Sequence, residues 1–178
     1  MDGIGTEKKI LWGVYPSSAS ANDDDEVLSD FTHRLRTTVS RVHFAERGQP
    51  LFVRHTAAIK RSAAKNIDRT DPTNQIQTLH INPHYNGRIA GKHIVVVDDC
   101  TTYGVSFGVA AAFLRKAGAA KVTGIALGKF GSQLRHYDID IAGSPYQPVT
   151  SGFSYNSSTI FSGSSSQQVQ QTLHLLMP

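Results

Sequence analysis

The chain has little that would staple or anchor it. It carries one cysteine, Cys100, which excludes a disulfide framework within the chain and any multi-cysteine zinc site. Its apolar runs are far too short to span a bilayer, so no membrane partner is expected. The opening "MDGIGTEKK" has no apolar core and does not read as a signal peptide. No internal repeat is evident, and His80, His84, His93, His136 and His174 lack metal-site spacing. These absences predict a soluble, cytoplasmic protein of one ordinary-sized domain, large enough for a real core. The excess of charge is modest: 18 Lys+Arg against 14 Asp+Glu give +4 and a pI near 9.3. Such basicity suits a phosphorylated ligand or nucleic acid, and equally a solvated surface.

Elements alternate along the chain. "KKILWGVY" (residues 8–15) reads as a strand ending at Pro16, followed by a polar loop with Asn22 or Asp23 as N-cap. Residues 26–46 place Val27, Phe31, Leu35, Val42 and Ala45 at helical spacing, with Gly48 as the stop. "PLFVR" reads as a second strand. Residues 56–86 are polar and basic with weak patterning, apart from a short strand expected at "IQTLHI". "IVVV" (residues 94–97) has the composition of a strand buried on both faces. "GVSFGVAAAFLRKAGAA" is then a helix with Arg115 and Lys116 in its last turn, and "KVTGIALGKF" is the next strand. Strand, helix, strand makes a βαβ unit. The expected fold is α/β: an open, mainly parallel twisted sheet flanked by helices. The composition shifts at Ser151, so residues 1–150 are read as the domain and 151–178 as a serine- and glycine-rich tail, docked at most by Leu173, Leu175 and Leu176.

The chemistry concentrates in "VVVDDCTTYGVS". In open α/β sheets ligands bind at the carboxyl ends of strands, where the turn into a helix offers unpaired N–H groups and the positive end of the helix dipole. Thr101, Thr102, Tyr103, Gly104, Val105 and Ser106 form such a turn: Gly104 permits close backbone approach and the hydroxyls add donors. Asp98 and Asp99 would repel a phosphate alone. They fit a ligand that also brings hydroxyls or a divalent cation, namely a sugar phosphate with magnesium.

These residues resemble the phosphoribosyl-pyrophosphate (PRPP) motif of type I phosphoribosyltransferases: apolar strand, two acids, a hydroxyl-rich stretch, glycine, one residue, then Thr or Ser. The likeness runs on through the helix to "GAAKVTGIAL" and, more loosely, over residues 8–146. The order of basic segment, "YNGRIAGKH", strand and acidic pair is most similar to the bacterial competence-associated branch. The resemblance implies Mg²⁺-dependent transfer of a 5-phosphoribosyl group to a nucleobase-like acceptor. Asp98 and Asp99 would accept from the ribose hydroxyls and stabilise the developing ring cation, with Mg²⁺ held mainly by substrate and partly by these acids. Thr101 to Ser106 would hold the 5-phosphate, and Ser17, Ser18 and Ala19 would form the pyrophosphate loop. Arg54, Lys60, Arg61 and Lys65, in a basic segment reaching Arg69, stand where the family has its catalytic lid. Lys129 and Phe130 stand where a base could meet an amine and an aromatic face. A small hood, here the N-terminal residues and the region from Gly131 to Phe153, would select the acceptor. A homodimer is the common state of such folds.

Bland readings stand beside these. The acidic pair could merely cap a helix, "PSS" is a common loop, and Lys129 and Phe130 could be a surface lysine and a core phenylalanine. Cys100 reads as a turn residue without an activating neighbour. An acidic pair ending a strand also occurs in receiver domains, but these carry it near their first strand. Tyr103 departs from the threonine usual before the glycine. The alternative function is therefore a non-catalytic PRPP- or nucleotide-binding module on the same fold, serving a partner protein or nucleic acid.

Overall fold

In the computed structural model, residues 94–97 lie at the centre of a parallel sheet, none more than 1% exposed. The structure describes residues 10–18, 43–44, 46, 48–59 and 68–162. In chain order these form β1 (Ile10–Val14), β2 (His43–Phe44), β3 (Phe52–Arg54), α1 (Thr73–Thr78), β4 (Leu79–Ile81), a 3₁₀ turn (Pro83–Tyr85), β5 (His93–Thr101), α2 (Val105–Lys116), β6 (Lys121–Lys129), β7 (Gln133–Ile141) and β8 (Phe153–Ser162). No helix among the described residues is long and apolar enough to cross a membrane.

The parallel sheet has the order β2-β1-β5-β6. Period-two alternation splits its strands between two apolar clusters. Leu11, Ile94 and Val96 join α2 residues Val105, Val109, Ala110, Phe113 and Leu114 on one face, while Ile10, Trp12, Val95 and Val97 are buried on the other. Each such side chain contributes roughly 1.5–3 kcal/mol by leaving water, which makes α2 and β5 the rigid frame of the molecule. From β1 the chain passes to β2 on one side, and from β5 it passes to β6 on the other. The junction of β1 and β5 is thus a topological switch point, the position at whose carboxyl edge open α/β sheets generally bind ligands.

Several expectations are corrected. His43 and Phe44, assigned from periodicity to the end of a long helix, pair in parallel with Leu11 and Trp12, since β1 needs a ladder partner that local propensity does not record; the rest of that helix lies almost wholly outside the described residues. The strand expected at "IQTLHI" is split. Asp71 accepts the amide of Thr73 in the turn before α1, which takes residues 76–78, and only Leu79–Ile81 is extended, antiparallel to β3. The serine-rich segment expected to be loosely held is β8 over residues 153–162, paired antiparallel with β7 from Phe153 to Ser162 with one register shift at Leu134/Arg135. Ladder bonds, not apolar alternation, make that strand. Gln133–Ile141, placed in a poorly patterned hood region, is likewise a nine-residue strand, and it packs on α2. Leu173, Leu175 and Leu176 lie outside the described residues.

Candidate functional site

Parallel register sets two loops side by side at the switch point. Val14 pairs with Val97, and the Tyr15 amide donates to the Val97 carbonyl at 2.8 Å. The loop holding Ser17 and Ser18 therefore leaves β1 next to Asp98, and β5 ends three residues on. Ala19 lies outside the described residues, as do Lys60, Arg61 and Lys65.

The turn after β5 is a polar cup of about 170 Å³ lined by Arg69, Cys100, Thr101, Thr102, Tyr103, Gly104, Val105 and Ser106. Gly104 caps α2 in the left-handed conformation, at φ 83°, and its amide donates to Thr101 Oγ1 at 3.1 Å. The amides of Val105, Ser106 and Phe107 are in the first helical turn and have no intrahelical acceptor. With the helix dipole behind them, these donors give the turn a positive electrostatic character. Tyr103 lines the cup but packs its side chain against the main core, and its carbonyl accepts from Arg135 N at 3.0 Å. A larger cavity of about 250 Å³ lies behind the cup between α2, β6 and β7. Its lining is mainly apolar, whereas the cup is lined mostly by polar residues.

The two acids differ in setting. Asp98 is buried at 8% exposure, whereas Asp99 is exposed and its Oδ1 accepts the Cys100 amide. Burial first, and the Asp99 carboxylate second, push the Asp98 carboxyl up to about 7, against the opposing pull of a hydrogen bond from Ser106. The folded chain thus binds this proton more tightly than the unfolded chain. The stability gained is complete below about pH 4 and is lost as the pH rises through the folded value. Asp98→Asn should flatten the dependence of melting temperature on pH between about 4 and 7; a wild-type slope in the variant would assign it to another group.

Arg54 is not on a lid. It is 1% exposed beneath the loop after β1, where Nε donates to the Ser17 carbonyl, Nη2 to the Pro16 carbonyl at 3.4 Å and to Gln75 Oε1 at 2.9 Å, and Nη1 to Thr78 Oγ1 at 2.7 Å. The Ala58 amide adds a bond to the Ser18 carbonyl at 2.9 Å. The loop is thereby clamped from below.

Lys129 sits on the far side of the cup. Its Nζ donates to the carbonyls of Thr102 and Phe130 at 2.6 Å and of Gly131 at 2.9 Å, tying the end of β6 to the cup. Phe130 is 67% exposed, which overturns its reading as a core residue. Arg69, at the end of the basic segment expected to form a lid, is the cup residue that the sequence does not single out. Its Nη2 instead lies 3.4 Å from Thr102 Oγ1 at the mouth of the cup. The aspartates on either side, Asp68 and Asp71, are turn-forming residues and were the available signal.

No family model, curated protein or solved structure matches the chain.

Proposed function

We propose that the chain is a phosphoribosyltransferase of the type I class, which transfers the phosphoribosyl group of Mg-PRPP to a nucleobase or related nitrogen nucleophile and releases pyrophosphate. The observation that carries this reading is the polar cup at the hydroxyl-rich N-terminus of α2, which follows directly on Asp98 and Asp99 in β5, with the loop after β1 set beside that strand by the parallel register. A ribose phosphate satisfies both charges at once, its phosphate taking the amides of the first helical turn and its hydroxyls facing the carboxylates.

Among the described residues no cluster of three or more His, Cys, Asp or Glu is placed to hold a metal. The exposed Asp99 carboxylate is a hard oxygen donor beside the cup, which fits a Mg²⁺ ion held mainly by substrate phosphates, hydroxyls and water. When bound, the ion neutralises charge on the leaving pyrophosphate. The chain's own groups act on the sugar. The acceptor nitrogen forms its bond to the anomeric carbon as the bond from that carbon to pyrophosphate oxygen breaks, the oxygen keeping the electron pair. Asp99 and the ionised fraction of Asp98 stabilise the positive charge that develops on the ring, and the loop of Ser17 and Ser18 faces the departing group.

Titration calorimetry with PRPP, with and without Mg²⁺, tests the site. Magnesium-dependent binding by the wild type and its loss in Asp98→Asn/Asp99→Asn is the expected result. Equal binding by the double variant would show that the site is misplaced. Two observations favour the non-catalytic module: Tyr103 packs into the core, and the Lys129 ammonium is engaged by three carbonyls. Pyrophosphate release with a panel of nucleobases separates enzyme from module. Asp99→Asn should lower turnover by about tenfold or more while leaving the fold intact, because Asp99 is exposed.

A further inference from the structure

Arg69 is presented to the cup by a turn with its own internal bonds. Asp68 Oδ1 accepts from the Thr70 amide at 2.8 Å and from Thr70 Oγ1 at 2.7 Å, and Asp71 Oδ1 accepts the Thr73 amide at 2.8 Å. The β7–β8 hairpin pins this turn from outside. Tyr137 Oη donates to the Thr70 carbonyl at 2.9 Å, and the Tyr155 hydroxyl bonds the Asp71 carboxylate. Tyr137 is also the residue against which Gly108 of α2 packs, at a distance too short for any side chain there. One frame thus carries both the helix whose N-terminus makes the cup and the arginine at its mouth.

The electrostatics call for that arginine. The helix terminus supplies roughly half a positive charge, and Asp98 and Asp99 oppose an incoming anion. A phosphate monoester with nearly two negative charges needs a further cation, and Arg69, whose Nη2 lies 3.4 Å from Thr102 Oγ1, stands at the mouth of the cup.

We infer that Arg69 closes the cup on the ligand's terminal phosphate, that the β7–β8 hairpin positions it there through Tyr137 and Tyr155, and that the site thereby selects a phosphate monoester over the bare sugar. This rests on reading the cup as a sugar-phosphate site. Ribose 5-phosphate is the probe and ribose the control, titrated into wild type, Arg69→Ala, Arg69→Lys, Tyr155→Phe and the Arg69→Ala/Tyr155→Phe double variant. Arg69→Ala should weaken ribose 5-phosphate binding about tenfold or more, with Arg69→Lys recovering part of the loss. Tyr155→Phe should weaken it less, and that effect should vanish once Arg69 is gone.

Binding unchanged in Arg69→Ala but lost in Gly104→Val would overturn the role of Arg69 and leave the cup standing as the phosphate site. A Tyr155→Phe effect that persists without Arg69 would overturn the positioning role of the hairpin. A wild type that binds neither ribose 5-phosphate nor PRPP would overturn the reading of the site itself.

Discussion

Replacing Arg54 with methionine is expected to destabilise the protein by about 3–5 kcal/mol, a fall in melting temperature of roughly 10 °C for a chain of this size. Methionine fills much of the same volume but leaves the Ser17 carbonyl, Thr78 Oγ1 and Gln75 Oε1 without the donor they share. Each of these oxygens would stay largely dry, and a buried unsatisfied acceptor costs about 1–3 kcal/mol. Gln75 Oε1 keeps the Tyr15 hydroxyl, at 2.8 Å, so its loss is partial. Arg54→Lys should rescue little, because one ammonium cannot span the arc of acceptors that a planar guanidinium reaches. Thermal unfolding followed by circular dichroism reads the effect, and a variant melting with the wild type would refute the clamp. Because the clamp holds the loop of Ser17 and Ser18, the folded fraction of Arg54→Met should also bind PRPP more weakly.

Gly104→Val is expected to abolish phosphate binding. At φ 83° an L side chain is strained by about 1–2 kcal/mol before any contact is counted, and a β-branched residue by more. A Cβ there would also stand 3.0 Å from Leu134 Cδ1 and 3.4 Å from the Arg135 carbonyl oxygen, so Leu134 must give by a few tenths of an ångström while the strained backbone pulls the amides out of convergence. Gly104→Asn separates the two causes. Asparagine tolerates the left-handed region, so it should relieve much of the conformational strain while keeping the crowding. Binding retained by Asn and lost by Val points to backbone conformation; loss in both points to space. Retention in both would remove the turn from the binding site.

What the strong local signals predicted, the structure largely repeats. The run of β-branched residues before Asp98 is a buried parallel strand, the alanine-rich stretch after Gly104 is a helix, and the strand after Gly118 returns parallel. The conjunction of acids, hydroxyls and glycine marked the cup from spacing alone, because turn chemistry is local. Local patterning failed where long-range pairing decided. Phe153–Ser162 has the composition of a tail, yet the ladder to β7 satisfies its backbone groups.

Charge was legible and its placement was not. Arg54 and Arg69 stand in one basic segment, and nothing in their neighbours says that one is sealed under a loop while the other reaches the cup. Likewise Asp98 and Asp99 are adjacent acids of one kind in the sequence, and only the fold buries Asp98 and so raises its carboxyl. The sequence by itself determined the βαβ core and the polar turn that follows its central strand, since both follow from periodicity and from turn residues within a few positions. The tertiary structure decided which strands pair, which arginine is buried and which faces the site, and which acid holds its proton, because those depend on desolvation and on partners distant in the chain.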